Sequence, residues 1–151
     1  MKLSVLALDY DGTMTRDDRP DASGLSAIAD ARRRHLIVML VTGRILDDLR
    51  RVAGELRFVD GVVAENGAVV HFPGTGHTTV LAPPIPPMFV ARLEELGIPF
   101  RADECVVDAD AGSAHRILDV IRELELPIVL SFNRSRVMAL AQGAGHSVPD
   151  R

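Results

Sequence analysis

The sequence predicts an α/β fold: an open sheet with parallel strands, joined to a smaller α+β module. Three observations carry that prediction. Strand and helix signals alternate through the first seventy or so residues of the 151. The three strand-like runs there end in "DYDGT", "VTGR" and "ENG", each polar and each holding a glycine. Beyond about residue 72 the chain turns rich in proline and glycine, then resumes with strands and two helices in a different pattern.

Each element has its own reason. Leu3 to Leu8 is a short apolar run with no helical period, bounded by "DYDGT", and reads as a strand. Residues 22–35 place Leu25, Ile28 and Ala29 on one face, which predicts a helix. "LIVMLV" (36–41) is uniformly apolar and suits a strand buried on both faces of a parallel sheet. Leu46, Leu49, Val52, Ala53 and Leu56 recur at helical spacing, interrupted by Gly54. "GVVAENG" (61–67) is a third strand stopped by Asn-Gly, a turn dipeptide. Strand, helix, strand, helix, strand implies right-handed crossovers in an open sheet.

"FPGTGH" and "APPIPP" then read as linker and domain boundary. Gly74 and Gly76 belong to a turn, since no Gly-Lys-Ser/Thr follows them to make a phosphate loop. "HTTVLA" reads as a strand of the second module, and Phe89, Leu93 and Leu96 mark a short helix stopped by Gly97. "FRADECVVDAD" reads as one strand, and Ala114, Ile117, Leu118, Ile121 and Leu124 as an amphipathic helix ended by Pro127. "IVLSF" and "RVMALA", joined by "NRS", close the module as a hairpin. The result is one sheet backed by helices on one face.

Composition excludes several function classes. With 47% hydrophobic and 25% charged residues the chain is globular rather than disordered. A formal charge of −4 gives no basic footprint for nucleic acid, and Arg32 to Arg34 serve a helix C-terminus. The prolines and glycines of the uncharged stretch 71–91 rule out a membrane helix there. "MKLSVLALD" is too short an apolar run for a signal peptide. The single cysteine, Cys105, fits a buried thiol in a reducing compartment, and the expectation is a cytoplasmic protein.

The chemistry lies at the strand ends, because ligands of open α/β sheets bind at the carboxyl ends of the strands. Asp9 and Asp11 are two positions apart, so an extended chain points both carboxylates to one face. Like charges that close persist only with a cation or a shared proton between them. Gly12 then frees the backbone to turn. One reading is a Mg²⁺ site, with one carboxylate attacking phosphorus and the other moving protons. The other reading is a capped turn, for which Asp and Gly are also common. Thr42 is either a phosphate-binding hydroxyl or a helix N-cap, and Arg44 taken by itself reads as a solvated residue. Asn66-Gly67 taken by itself reads as a hairpin turn. The five histidines, His35, His71, His77, His115 and His146, show no metal-ligand spacing.

"LALDYDGT", "VMLVTGR" and "VVAENGA", in that order and spacing, resemble the haloacid dehalogenase superfamily of phosphohydrolases, in its sugar-phosphate-phosphatase-like branch with a large cap. The resemblance implies that residues 1–77 form the first half of a Rossmann-like core and residues 78–142 an α+β cap. It implies a Mg²⁺-dependent phosphatase acting on a small phosphorylated metabolite through an aspartyl-phosphate. Asp9 would be nucleophile and metal ligand, and Asp11 general acid/base and metal ligand. Thr42 and the backbone of Gly43 would bind the phosphoryl group, with Arg44 and Asn66 positioning substrate.

The family's lysine motif and its second acidic motif find no counterpart here. Lys2, the only lysine, precedes the first strand, and residues 143–151 form a short tail where the second half of the core is expected. That predicts impaired turnover in an incomplete chain, with an apolar sheet edge left for self-association. Two alternatives stay open. One is a non-catalytic module that binds Mg²⁺ or a phosphorylated ligand or is completed by a partner chain. The other is a receiver-like phosphate acceptor, which the cap-like insertion disfavours.

Overall fold

The computed structural model describes residues 4–142 and divides into two compact units, Met1–Leu81 and Ala82–Arg151. Lys2 and the predicted tail, residues 143–151, lie outside the described residues.

The first unit runs β1 (Val5–Asp9), β2 (Thr15–Arg16), β3 (Arg19–Pro20), α1 (Ala22–Arg33), β4 (Ile37–Val41), α2 (Leu46–Ala53), β5 (Gly61–Ala64), β6 (Val69–Phe72) and β7 (His77–Val80). Its main sheet has the order β1-β4-β5-β6-β7. β1, β4 and β5 are parallel, with Asp9 opposite Val41 and Val41 opposite Val63. β6 and β7 return antiparallel. The alternation of strand and helix therefore gives the expected α/β arrangement, with an antiparallel flank added.

Both crossovers, β1-α1-β4 and β4-α2-β5, step in the same direction across the sheet. Right-handed connections then put both helices on the same face. Burial follows from this. Val38 and Leu40 are fully buried, whereas Ile37 is 49% and Val41 40% exposed. The "LIVMLV" strand was expected to be buried on both faces. It alternates instead, because α1 and α2 shield only one side. Beneath them lies a core that includes Ile28, Leu40, Leu49, Leu56, Val59 and Val62.

Three further corrections concern this unit. The "FPGTGH" segment is not a linker but the loop of the β6–β7 hairpin, with Gly76 at φ 72 making the turn. His77–Val80 accordingly completes the first sheet, and the unit continues to Leu81. The small β2–β3 hairpin gave no sequence signal, because its strands are two residues each. Asp60 joins strand to loop: its Oδ2 accepts from Val38 N at 2.8 Å, and its N donates to Val38 O at 2.9 Å.

The second unit comprises α3 (Pro87–Glu95), β8 (Phe100–Ala102), β9 (Val106–Asp110), α4 (Ala114–Glu123), β10 (Ile128–Asn133) and β11 (Arg136–Ala141). Its antiparallel sheet has the order β10-β11-β9-β8. "FRADECVVDAD" is two strands rather than one, because Asp103–Cys105 breaks it and β8 folds back on β9. The core joins Phe89 and Leu93 of α3 and Ile117 and Val120 of α4 to Val107, Val137 and Ala139 of the sheet. Cys105 is buried, its Sγ donating to Ala82 O at 3.3 Å.

Candidate active site

Main-chain hydrogen bonds carry three loops to one end of the parallel strands. Tyr10 N donates to Val41 O (3.2 Å), Thr42 N to Val63 O (2.9 Å) and Glu65 N to Arg44 O (3.0 Å). "DYDGT", "VTGR" and "ENG" are thus stitched side by side, as the strand-end argument requires.

Asp9 is the last residue of β1, paired with Val41 through the sheet, and its exposed side chain makes no hydrogen bond or ion pair with any described residue. Asp11 lies beyond the end of the strand. The chain leaves the strand at Tyr10 and turns, with Gly12 at φ 79, so strand alternation does not govern where the Asp11 side chain goes. A cation does. Arg44 Nε lies 3.1 Å from both Asp11 oxygens, and its Nη2 donates to Oδ1 at 2.6 Å. The same Nη2 donates to Asp18 Oδ1 at 2.7 Å. Arg44 is therefore neither a solvated surface residue nor free to serve substrate alone. It is the positive charge shared by Asp11 and Asp18.

The surroundings reinforce this ion pair. The Arg44 guanidinium carbon sits 5.4 Å from the centroid of the buried Tyr10 ring, and Tyr10 OH donates to Asp18 O at 2.9 Å. Hydrogen bonds to Asp11 raise the pKa of Arg44 against the opposing effect of burial, so its charge is permanent. Burial also pushes the Tyr10 phenol up, partly offset by the Arg44 cation.

Thr42 is buried, and its Oγ1 accepts from Arg44 N at 3.1 Å. It is not the N-cap of α2, a position held by Ile45. Gly43 lies in the bend between Thr42 and Arg44. Asn66 is exposed, with left-handed φ 54 and ψ 34, a conformation Asn tolerates. The segment 65–68 does connect antiparallel β5 and β6, so the hairpin reading of Asn66-Gly67 also holds. Two residues went unassigned from sequence: Asp18, in a hairpin with no periodic signal, and Glu65. Glu65 was quoted within "ENG" and proves buried, its Oε1 accepting from Leu46 N at the start of α2 (3.3 Å).

The donor set suits a hard cation in kind. Asp9 offers an exposed carboxylate, and carboxylate oxygens are the ligands hard divalent ions take. Asp11 brings a second carboxylate whose oxygens already accept from Arg44. Among the described residues no group of three or more His, Cys, Asp or Glu is gathered for a metal. The described residues therefore supply up to two carboxylate ligands. Among them, too, no helix is long and apolar enough to cross a membrane.

Comparison with known proteins bears on the family and the fold. Residues 6–133 match the family described as haloacid dehalogenase-like hydrolase. Over 80 residues the chain is 38% identical to a phosphoglycolate phosphatase of Archaeoglobus fulgidus, a match covering 53% of this chain and 35% of that protein. The chain thus spans about a third of that curated relative's length. Among solved structures, protein 0175 of Thermoplasma acidophilum superposes with a TM-score of 0.67 at 16% identity, covering 97% of this chain and 68% of that one. A haloacid dehalogenase-like hydrolase from Bacteroides thetaiotaomicron gives 0.70 at 12% identity, covering 94% and 72%. At such identities the structural likeness speaks for the fold.

Proposed function

The chain belongs to the haloacid dehalogenase-like hydrolase family, and from that premise we propose that it is a cytoplasmic Mg²⁺-dependent phosphatase of a small phosphorylated metabolite. Its first unit supplies the chemistry and its second unit is the cap. The observation that carries this reading is the contrast between two neighbouring acids. The Asp9 side chain is exposed and unengaged by any described residue, as a nucleophile must be, while the Asp11 side chain is held in hydrogen bonds that orient it. The phosphoglycolate phosphatase relative supports the same reaction class.

In this mechanism an Asp9 oxygen attacks phosphorus, and the phosphoryl group moves to Asp9 as the bond to the leaving oxygen breaks. Asp11 gives that oxygen a proton, then takes one from the water that hydrolyses the aspartyl-phosphate. Thr42 and the backbone of Gly43 bind the phosphoryl oxygens, and Asn66 contacts substrate. Asp9, with Asp11 beside it, would hold Mg²⁺, which supplies charge neutralisation to the phosphoryl group. Arg44 adds a fixed positive charge beside Asp11. Self-association through the edge of β1 and its exposed apolar face belongs to the same proposal.

Hydrolysis of p-nitrophenyl phosphate with and without Mg²⁺ tests the reading. Turnover is expected only with the metal, and Asp9→Asn abolishes it. Turnover that survives Asp9→Asn, or that ignores Mg²⁺, overturns the mechanism. Phosphorylation that accumulates without release would mark a receiver-like acceptor instead.

A further inference from the structure

The β2–β3 hairpin has no role in the mechanism above, yet its tip reaches the catalytic acid through Arg44. Asp17 and Asp18 form that tip, both in the left-handed region (φ 51 and φ 65). Two bonds hold Asp18 in place. Its carbonyl accepts from Tyr10 OH at 2.9 Å, and its Oδ1 accepts from Arg44 Nη2 at 2.7 Å. Tyr10 directly precedes Asp11 in the chain, and Arg44 directly binds it.

Arg44 Nη2 is shared between Asp11 Oδ1 and Asp18 Oδ1, while Nε spans both Asp11 oxygens. An arginine side chain is long and rotamer-rich, and a fork with one partly exposed carboxylate can open and re-form. A second carboxylate removes that freedom. The Asp18 side chain is 71% exposed, so solvent screens its attraction, and stability gives little reason for the pair. Orientation does.

We propose that Asp18 is a positioning residue for the phosphatase reaction: it fixes the Arg44 guanidinium, and through it the proton-carrying carboxylate of Asp11. The inference rests on the proposed phosphatase reading. It adds that the hairpin takes part in setting the geometry of the general acid without touching substrate.

The test uses Asp18→Gly, because glycine accepts the left-handed backbone and only the carboxylate is lost. Two substrates separate positioning from general damage. Phenyl phosphate has a poor leaving group and depends on the acid; p-nitrophenyl phosphate depends on it less. The expected result is a fall in kcat/KM of about 10-fold for phenyl phosphate and about 3-fold or less for p-nitrophenyl phosphate. The melting temperature stays unchanged and Asp18→Asn, which keeps an acceptor oxygen, is intermediate. In a double-mutant cycle Asp18→Gly costs nothing further once Arg44→Met is present. Equal losses on both substrates, additivity with Arg44→Met, or no loss at all would overturn the inference.

A second arm does not need turnover. The Arg44 guanidinium N–H resonances in a ¹⁵N NMR spectrum should show restricted rotation in the wild type and fast averaging in Asp18→Gly. Averaging in both proteins, or restriction in both, overturns the positioning role whatever the activity. Restriction lost on substitution, in a chain that hydrolyses neither substrate, would leave Asp18 pinning Arg44 while the phosphatase reading fails.

Discussion

Replacing Arg44 with methionine keeps much of the side chain's bulk and deletes its charge. The structure sets the size of the effect. The link to Asp11 is a charge-assisted contact through both Nε and Nη2, a class worth about 1.5–3 kcal/mol. Both partners are only about a quarter exposed, 25% and 26%, so most of that survives solvent screening. The Asp18 contact adds about 0–1 kcal/mol, because its carboxylate is mostly in water. The guanidinium over the Tyr10 ring adds about 0.5–1 kcal/mol. The total expected loss is about 2–5 kcal/mol, read as a shift in the urea midpoint at constant slope. Raising the salt to about 1 M, where the Debye length is about 3 Å, should shrink the difference. Turnover should fall on the order of 10²-fold, the usual cost of one preorganised electrostatic contact. A loss below about 0.5 kcal/mol, or one indifferent to salt, would refute the claim that this cation holds Asp11 and Asp18 together.

Other expectations follow from other elements. Asp60→Ala deprives the buried Val38 N–H of its acceptor and should cost about 1–3 kcal/mol by denaturant titration, with Asp60→Asn restoring most of it. His71, buried on β6, meets Thr78 Oγ1 through Nδ1 at 2.8 Å and has Arg50 Nη2 3.3 Å from both ring nitrogens. Burial first and the Arg50 cation second hold its pKa below the ordinary value. As pH falls below about 6.5 the unfolded chain therefore binds this proton before the folded one. The contribution is fully present above that pH and is lost on descending to the folded pKa, so His71→Gln should flatten the acid side of the stability profile. An unchanged profile would count against it. Val5 and Ile37, about half exposed and opposite each other on β1 and β4, should drive concentration-dependent association in sedimentation. Val5→Lys with Ile37→Lys should abolish it, and a wild type that stays monomeric at every concentration would contradict it.

Much of the fold was legible because burial leaves a period in sequence. The expected helix at 22–35 is Ala22–Arg33, and the one begun at Leu46 ends where Gly54 turns to φ 76. Apolar runs alone do not report how many faces are covered. "LIVMLV" looks doubly buried, yet the crossover directions leave Ile37 and Val41 in the open. Local turns hid most. Strand β7 reads as a strand, yet it is exposed at all four residues and carries no apolar alternation to show which sheet it joins, so its pairing with β6 was invisible. The rim was readable from three polar strand ends, but the partners within it were not. Arg44 reaches Asp11 across 33 positions and Asp18 across 26, and no spacing rule encodes such contacts.

The nucleophile can be identified chemically. The protein is mixed with a phosphorylated substrate and Mg²⁺, quenched in acid during turnover and reduced with borohydride, which converts an aspartyl-phosphate to homoserine. Peptide mass spectrometry then locates the modified position. The account predicts homoserine at residue 9 and an unaltered aspartate at residue 11. Homoserine at residue 11, or steady turnover with neither residue labelled, would contradict it.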